Sequence, residues 1–401
     1  MTQSINDVEP QIIFGRFQKS TDPIGFFADV TLKFFEELSD IIMKDQFSRE
    51  FGDLFSFGYW CRRSNLEKLK SNYNSEQIRI GLGETFHITP SNVPMNFAYS
   101  LAFALLAGNT CTVRVPTREY PQIERFCFFL RAITQTSELS LFQNRILIVR
   151  YPHSDETTER LSQNANARLI WGGDKTVRHI RKLASSMRNL DLTFTDRYSL
   201  AILSAKAICD LSPEELLSLS RSFYNDAYLF DQNACSSPRL LIWQGENSQI
   251  SQAKNIFWQT VGNIVLQDYS VQASHTSSKL LELCNIAMSS VELDRWHRDE
   301  NLIDHISIQN LDQNLVNIQN RFGMFFEYSL QDLYGLAPFV EPKIQTLTYF
   351  GIDKNDLIKL VSDFNLNGID RIVPVGQALN IGPIWDGYDV PLMLSRIIDV
   401  Q

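Results

Sequence analysis

The sequence lacks the short motifs that mark the commonest metal, phosphate and hydrolase sites. It contains neither a Gly-x-Ser-x-Gly elbow nor a Walker A loop. Its six histidines show no His-x-x-x-His or His-x-His spacing, and no two of its six cysteines lie within four residues of each other. We therefore expect no metal site, and we expect the scattered free thiols that a reducing cytoplasm maintains.

Long apolar runs and an excess of positive charge are absent as well. The most apolar stretch, residues 97–108, spans about 12 residues, too short for a membrane span of about 20, and it predicts a buried helix. The first nine residues lack the basic and apolar segments of a signal peptide. The net charge of −9 argues against a nucleic-acid binder with a generally basic surface. We expect a cytoplasmic protein without membrane insertion or a nucleic-acid partner.

The composition is that of a folded protein of two domains. The 401 residues are 44% hydrophobic and 21% charged. Residues 1–75 are expected to be largely helical. Strand-like runs then alternate with helical segments, which is typical of a parallel, Rossmann-like sheet and an α/β fold. We place a helical region and a cofactor-binding domain in residues 1–195, and a catalytic domain with a C-terminal tail in residues 196–401.

Cys235 is the candidate nucleophile. It follows an aromatic segment and the three polar residues Asp231, Gln232 and Asn233, and it precedes the strand-like run 240–243. A turn with small neighbours gives a substrate access and offers backbone N–H groups to a thiolate and an oxyanion. The alternative is a buried structural cysteine, because free cysteine packs as a small hydrophobe.

Asn92 is the candidate oxyanion donor. It lies in the turn Thr89-Pro-Ser-Asn-Val-Pro94, between a strand and an apolar helix, where α/β proteins place their sites. A side-chain amide aimed at a reacting carbonyl is typically worth roughly 3–4 kcal/mol to the transition state. The alternative is that Asn92 forms an Asx turn or caps the helix.

Two strand ends are candidates for holding a cofactor. Arg114 and Pro116 end one β run, and the cation could meet a 2′-phosphate or a ribose; a solvated strand-end charge is the alternative. Gly172, Gly173 and Asp174 separate a strand from a helix, where glycines let the backbone approach a pyrophosphate; an ordinary tight turn is the alternative. The later turn Trp385-Asp-Gly-Tyr-Asp389 is interpreted as a structural loop.

Taken together, these segments resemble the LuxC-type acyl-CoA reductases, which supply long-chain aldehyde in bacterial bioluminescence and belong to the aldehyde dehydrogenase superfamily. The resemblance runs from about residue 78 to 393. The segments that carry it are His87-Ile-Thr-Pro-Ser-Asn-Val-Pro94 with Tyr99-Ser100, Gly108-Asn109 with Arg114, Trp171-Gly-Gly-Asp174, Asp196-Arg-Tyr-Ser199, Asp231-Gln-Asn-Ala-Cys-Ser-Ser-Pro238, Gln345-Thr346, Arg371-Ile-Val-Pro-Val-Gly376 and Trp385-Asp-Gly387.

The resemblance implies an aldehyde dehydrogenase-like fold and a role for each candidate residue. Cys235 would take the acyl group as a thioester, and Asn92 with the Cys235 backbone N–H would stabilise the oxyanion. Arg114 falls where the superfamily usually has a lysine near the adenosine ribose, which favours NADPH over NADH. Gly172 and Gly173 would lie beside the cofactor phosphates. The acyl donor would be acyl-CoA or an acyl group from a partner acyl-protein synthetase, and the enzyme would be a homo-oligomer.

One departure from the superfamily concerns its general base. Hydrolytic aldehyde dehydrogenases carry a glutamate in a Glu-Leu-Gly-Gly-Lys stretch before the nucleophile, and here Thr193 stands in the corresponding place. Without that base, water is poorly activated to attack a thioacyl enzyme, so the residues favour reduction of an activated acyl group to an aldehyde. The alternatives are an aldehyde dehydrogenase that works in the oxidative or phosphorylating direction, and a non-catalytic scaffold for an acyl-activating partner.

Overall fold

The computed structural model describes residues 8–17, 24–74, 76–90 and 93–400, and it divides the chain into two compact units. The first comprises Met1–Thr195 together with Ile381–Gln401, and the second comprises Asp196–Asn380. The expectation that the C-terminal tail belongs to the second domain is therefore wrong. The roles assigned to the two domains stay predictions.

The first unit alternates strands and helices along most of its length. Its strands are β1 Gln11–Phe14, β2 Arg79–Gly81, β3 Glu84–Ile88, β4 Thr110–Arg114, β5 Ile146–Arg150, β6 Ala167–Trp171 and β7 Leu190–Phe194. Its helices are α1 Asp29–Lys44, α2 Gly52–Trp60, α3 Arg63–Lys70, α4 Asn96–Leu106, α5 Pro121–Ile133, α6 Asp155–Gln163 and α7 Asp174–Ile180. The predicted buried helix is confirmed as α4, in which every residue from Phe97 to Leu106 is buried.

The main sheet of the first unit has the strand order of a Rossmann-like fold. The order is β1-β5-β4-β3-β6-β7, and all neighbours are parallel except β1, which runs antiparallel to β5. Strands β5 and β6 are buried along their whole length, as expected where both faces of a parallel sheet are covered. The order reverses between β3 and β6, and the carboxyl ends of these two strands flank the crevice where such sheets bind ligands.

The C-terminal tail returns to the first unit through main-chain pairing and aromatic packing. Its elements are β15 Ile384–Trp385, β16 Tyr388–Asp389, α13 Val390–Met393 and β17 Ser395–Ile397. Strand β17 pairs antiparallel with β2, and the indole of Trp385 packs edge-on against Trp171 at 4.8 Å between ring centroids. Trp171 also stacks on Phe194 at 3.8 Å. The turn at 385–389 thus packs against the core of the first unit. This packing explains why the tail belongs to the first unit and not to the second.

The second unit is also an α/β sheet. Its strands are β8 Tyr198–Ser204, β9 Pro238–Gln244, β10 Leu293–Asp299, β11 Ile303–Ile308, β12 Met324–Leu330, β13 Ile344–Phe350 and β14 Arg371–Pro374. Its helices are α8 Ala205–Cys209, α9 Pro213–Tyr228, α10 Asn247–Asp268, α11 Ala273–Ala287 and α12 Lys354–Asp363. The strand order is β10-β11-β12-β9-β8-β13-β14, parallel except for the antiparallel edge pair β10–β11.

Two apolar layers enclose the central strands of the second sheet. One layer includes Leu200, Ile202 and Ile242, and the other includes Ala201, Leu203 and Trp243 on alternate positions of the same strands. Alternation with period two sends neighbouring side chains to opposite faces of the sheet. Within the described ranges, no helix combines the length and apolar character needed to cross a membrane.

Candidate functional site

Cys235 lies in a tight turn between α9 and β9, at the amino end of β9. The Ser237 N–H donates to the Ala234 carbonyl at 3.1 Å, so Cys235 and Ser236 occupy the two central positions of the turn. Just before it, Asp231 and Gln232 have φ angles of 54° and 55°, in the left-handed region that non-glycine residues rarely adopt. The Cys235 side chain is exposed, which excludes the buried structural cysteine.

The side chain of Gln232 fixes the left-handed backbone at Asp231 and Gln232, just before the Cys235 turn. Gln232 is fully buried, and its amide oxygen accepts hydrogen bonds from the N–H groups of Gly323 at 2.8 Å and Met324 at 3.2 Å. Its amide nitrogen donates to the carbonyls of Pro238 at 3.1 Å and Met324 at 3.2 Å. Both ends of the amide are satisfied, so the contacts made by this side chain offset the cost of the left-handed backbone.

Two serines fix the backbone on either side of the thiol. The Ser199 hydroxyl donates to the Cys235 carbonyl at 2.7 Å and accepts from the Thr346 N–H at 3.2 Å. The Ser237 hydroxyl donates to the Asp226 carbonyl at 2.7 Å, near the end of α9. The thiol is therefore mobile only about its own side-chain bonds, on a main chain that is tied to β8, β13 and α9.

A buried cation lies next to this turn. Arg239 is 4% exposed, and its Nε has no hydrogen-bond partner among the described residues. Burial lowers the pKa of Arg239 and the neighbouring Arg321 lowers it further, whereas Cys235 is among the groups whose interaction raises it. Because that interaction is mutual, the guanidinium favours the thiolate form of Cys235, the form that attacks an acyl carbonyl.

The hydroxyl of Tyr198 adds a second unsatisfied group near Arg239. It is buried without a hydrogen-bond partner in the described part of the chain. Burial raises the pKa of this phenol, so Tyr198 stays a neutral donor, and the Arg239 charge lowers its pKa only in part. Arg239, which interacts with Cys235, and Tyr198, which interacts with Arg239, thus hold one spare buried donor each, an arrangement that suits a region where negative charge develops.

The cofactor candidates lie at the carboxyl edge of the first sheet. The Thr89 hydroxyl donates to the Arg114 carbonyl at 2.7 Å and joins the ends of β3 and β4. The Arg114 guanidinium stacks on the Tyr151 ring, 4.6 Å from its centroid, while its Nε is buried without a partner among the described residues. Pro116 is buried, and its carbonyl accepts from Arg150 Nε at 3.1 Å. Arg114 thus packs against the protein and keeps one orphaned donor.

The segment Gly172–Asp174 follows β6, beside β3 in the same sheet. Gly172 has a φ of +156°, and an added Cβ would lie 3.3 Å from the Thr176 side chain. Gly173 precedes α7, whose first turn begins with the carboxylate of Asp174. Glycine therefore allows the close approach between this turn and α7, a packing reason that exists without any ligand.

An open cavity of about 430 Å³ lies beside α7 and β7. Its lining includes three cations and two hydroxyls, together with two further side chains: Arg178, Arg181, Lys182, Thr193, Thr195, Asp174 and Val177. The lining carries an excess of positive charge, which favours an anionic ligand. Thr193, which the sequence resemblance aligns with the superfamily's glutamate, lines this cavity.

The structure brings together some of the predicted residues and separates others. Arg114, Pro116 and Gly172–Asp174 share one edge of the first sheet, through the neighbouring strands β4, β3 and β6. Asn92 lies outside the described residues. Cys235 lies in the second unit, at the amino end of its strand. Ser199 and Arg239 are not among the predicted site residues, although both stand in or beside the segments that carry the family resemblance.

A family model for the acyl-CoA reductases (LuxC) matches residues 43–396. The chain belongs to this family. Among curated relatives, the long-chain acyl-protein thioester reductase of Vibrio harveyi is 24% identical over 166 residues, 41% of this chain and 32% of the relative. That of Photorhabdus luminescens is 20% identical over 324 residues, 79% of this chain and 62% of the relative. The chain thus spans between a third and three fifths of the length of these relatives.

Solved structures with the same fold are aldehyde dehydrogenases. An indole-3-acetaldehyde dehydrogenase in complex with NAD+ superposes with a TM-score of 0.62 at 13% identity, covering 93% of this chain and 81% of that one. Aldehyde dehydrogenase 21 from Physcomitrella patens, in complex with succinate, gives 0.61 at 12% identity, covering 92% and 83%. The predicted aldehyde dehydrogenase-like α/β fold is confirmed for this member of the LuxC family.

Proposed function

We propose that this protein reduces an activated acyl group to an aldehyde through a thioester on Cys235. The observation that carries the proposal is an exposed thiol on a fixed turn, with the buried Arg239 cation beside it. Family membership supports the reaction class, because relatives are named acyl-protein thioester reductases.

The reaction proceeds in two parts at the thiol. The Cys235 thiolate attacks the acyl carbonyl, a thioester forms, and the donor leaves as its own thiol or thiolate. A nicotinamide cofactor, when bound, would supply the hydride that the thioester carbonyl carbon accepts. The resulting oxyanion collapses, the carbon–sulfur bond breaks, and the aldehyde leaves while the electron pair returns to the Cys235 sulfur. One acyl group consumes one hydride, so the thiol is regenerated in each cycle.

We propose that two hydrogen-bond donors stabilise the oxyanion, the side-chain amide of Asn92 and the backbone N–H of Cys235. Asn92 falls between β3 and α4 in the sequence, and the family resemblance assigns it this role. The fixed main chain around Cys235 supports the second donor, because a preorganised N–H needs no rearrangement when charge develops.

The cofactor is proposed to bind at the carboxyl edge of the first sheet, held by Arg114, Pro116, Gly172, Gly173 and Asp174. The reversal of strand order between β3 and β6 supports this edge as the ligand crevice. The orphaned Nε of Arg114 and the cations that line the neighbouring cavity suit phosphate groups, and they favour NADPH over NADH. The Asp174 carboxylate repels phosphate, so its proposed contact is with a hydroxyl or through water.

Reduction rather than hydrolysis follows from Thr193. A threonine hydroxyl is a poor general base, so water attacks the thioester slowly and the thioester persists until hydride arrives. We propose acyl-CoA, or an acyl group passed from a partner acyl-protein synthetase, as the donor for a cytoplasmic homo-oligomer.

The test is a panel of acyl-CoA esters assayed for aldehyde with NADPH and with NADH. We expect aldehyde with NADPH, loss of activity in Cys235→Ser, and near-normal activity in Cys284→Ser, which removes the other exposed thiol of the described chain. Rapid oxidation of aldehyde to acid by the purified protein, without reduction of any acyl donor, would overturn the proposal in favour of an oxidative dehydrogenase. Absence of both reactions would favour the scaffold.

A further inference from the structure

We propose that His297, Asp299 and His305 form a binding site for a divalent transition metal of the zinc type at the edge of the second sheet. This site contradicts our expectation from the histidine spacing, and it is independent of the proposed reductase activity. One nitrogen or oxygen atom from each residue can be chosen so that all three lie within 4.8 Å of one another.

The hairpin register brings the three residues together. Strands β10 and β11 pair antiparallel, with His297 directly opposite His305 and Asp299 opposite Ile303. Residues 297 and 299 are two apart on one strand and therefore point to the same face, which is also the face of the cross-strand partner. His297 and His305, eight apart in sequence, thus become neighbours across the hairpin. Neither the spacing of histidines on a helix nor the spacing of Cys-His metal motifs would reveal this pair.

The opposite face of the hairpin has its own set of partners. Trp296 Nε1 donates to Asp304 Oδ1 at 2.9 Å, and Arg298 Nε donates to the same oxygen at 2.7 Å. Asp304 also pairs with Lys279 at 2.7 Å. Arg298 and Lys279 are therefore engaged on the other side of the sheet. On the face with the two imidazoles, Asp299 supplies a carboxylate, and Lys254 pairs at 3.3 Å with Glu327 Oε2, the oxygen that His305 contacts.

His305 is oriented for coordination by a buried carboxylate. Its Nδ1 lies 3.2 Å from Glu327 Oε2 and its ring stacks on Trp258 at 5.1 Å. The indoles of Trp243 and Trp258 donate to Glu327 Oε1 at 2.8 and 2.7 Å, so the carboxylate itself is fixed. A carboxylate only accepts, so this contact favours the neutral tautomer with the proton on Nδ1, in which the lone pair of Nε2 is available to a metal. Metal-ligating histidines are usually held by this kind of contact.

The donor set selects the class of metal. Two imidazoles and one carboxylate suit Zn²⁺, Co²⁺ and related first-row ions better than Ca²⁺ or Mg²⁺, which prefer oxygen ligands. The Nε2 of His297 is already 3.0 Å from Asp299 Oδ1, a separation that a shared metal can bridge. Three protein ligands leave at least one coordination position for water, since His297 and Asp299 are at the surface.

The experiment is a titration of the chelator-treated full chain with Co²⁺ and, in competition, with Zn²⁺. We expect one equivalent of Co²⁺ to give the visible absorption of a four- or five-coordinate site without the near-ultraviolet band of a cobalt thiolate, and Zn²⁺ to displace it. A thiolate band would assign the metal to Cys235 or Cys284 and overturn the proposal, as would the absence of stoichiometric binding.

Two variants locate the site. His297 is on the exposed strand β10, whereas His305 is on β11, is 17% exposed and contacts the buried Glu327. His297→Gln and His305→Gln should each weaken binding by more than the roughly 10–100-fold that loss of an outer orienting contact costs. The matched control is His179→Gln. His179 pairs with Asp155 at 2.8 Å and is 55% exposed, close to the 57% of His297, but among the described residues the pair has no third His, Cys, Asp or Glu within reach of a shared metal. Retained binding in His297→Gln, or equal loss in His179→Gln, would contradict the site.

Discussion

Arg239 shows how a single residue can cost stability and serve chemistry. A buried guanidinium whose Nε has no partner among the described residues lacks one of the hydrogen bonds that normally offset its desolvation. Its interaction with Cys235 gives a reason for this arrangement, since a cation near a thiol favours the nucleophilic thiolate. Loss of the charge should therefore affect reactivity and stability in opposite directions.

We predict that Arg239→Met raises the pH midpoint of Cys235 alkylation by iodoacetamide, because the thiolate loses its cation. The free energy of unfolding should stay equal or increase, since an apolar side chain replaces a poorly satisfied buried charge. Rates are read from the mass of the Cys235 peptide across pH. The control is Arg221→Met, an exposed arginine on α9 paired with Asp268. An unchanged midpoint in Arg239→Met would refute the role.

Asp226 gives a prediction about pH. Burial raises the pKa of Asp226 to about 6 from its ordinary 3.8, although it accepts hydrogen bonds from the N–H groups of Gly376 at 2.6 Å and Ala378 at 2.9 Å. The folded chain therefore binds this proton more tightly than the unfolded chain. The stabilisation is complete below about pH 4 and is lost as pH rises through about 6.

The quantity to compare is the unfolding free energy of the native chain minus that of Asp226→Asn. We expect this difference to be about 1.4 kcal/mol more positive at pH 5 than at pH 8, so the native chain gains stability over the variant at the lower pH. Denaturant titrations at the two pH values measure it. The comparison with the variant removes the contribution of other titrating groups. A difference that is constant with pH, or that grows toward pH 8, would contradict the pKa direction.

At the scale of elements, the sequence predicted the strands that are buried and apolar. The run that became β5 is dominated by Ile, Leu and Val, the runs that became β6 and β9 contain apolar cores that end in Trp, and the helix α4 is mostly apolar. Strand β10 was missed because it is polar and exposed along its length, with the sequence Leu-Asp-Arg-Trp-His-Arg-Asp. Its pairing with β11 is decided by the hairpin register, which the apolar pattern does not encode. Strand β1 was missed within a region expected to be helical.

In the candidate site, too, local sequence predicted some features, and the tertiary fold set the others. Cys235 was recognisable from local signals, a polar turn before an apolar strand. The anchors of that turn were not, since Gln232 bonds to Gly323, 91 residues away, and Ser199 to Thr346, 147 residues away. Contacts of such separation are set by the tertiary fold and leave no local trace in a single sequence.

Ser199 tests whether the turn must be fixed for acyl transfer. Ser199→Ala removes the bonds to the Cys235 carbonyl and from the Thr346 N–H, and should lower stability by about 1–3 kcal/mol. We expect slower acylation of Cys235, while alkylation by small iodoacetamide changes little, because only the acyl reaction needs an aligned carbonyl. Rapid-quench mass spectrometry measures both. The control is Ser140→Ala, a serine with an exposed local bond. Acylation and alkylation slowed equally would contradict this view.

At the scale of the whole molecule, the chain carries an aldehyde dehydrogenase-like fold whose last residues complete the first unit. The Leu394 carbonyl accepts from Leu82 N–H at 3.2 Å and from Asn109 Nδ2 at 2.9 Å, and Trp60 Nε1 donates to the Ile381 carbonyl at 3.1 Å. These bonds join residues about 285 to 321 positions apart. The tail is thus a structural closure of the first unit rather than an appendage of the second.

Truncation after residue 380 should therefore destabilise the first unit. We expect an early unfolding transition, monitored by the fluorescence of Trp60, Trp171 and the tyrosines of that unit. Failure to accumulate as soluble protein is the other expected result. Truncation after residue 398 keeps β17 and the Ile398 bond to the Ile78 carbonyl, and serves as the control. Equal stability of the two truncations would show that the tail is dispensable.

The central claim is that Cys235 carries the acyl group, and intact-mass measurement after incubation with acyl-CoA tests it most directly. The account predicts a mass increase equal to one acyl group, present in the native chain and in Cys284→Ser, absent in Cys235→Ser, and lost with release of aldehyde when NADPH is added. An acyl adduct that persists in Cys235→Ser, or aldehyde formation by that variant at the native rate, would contradict it.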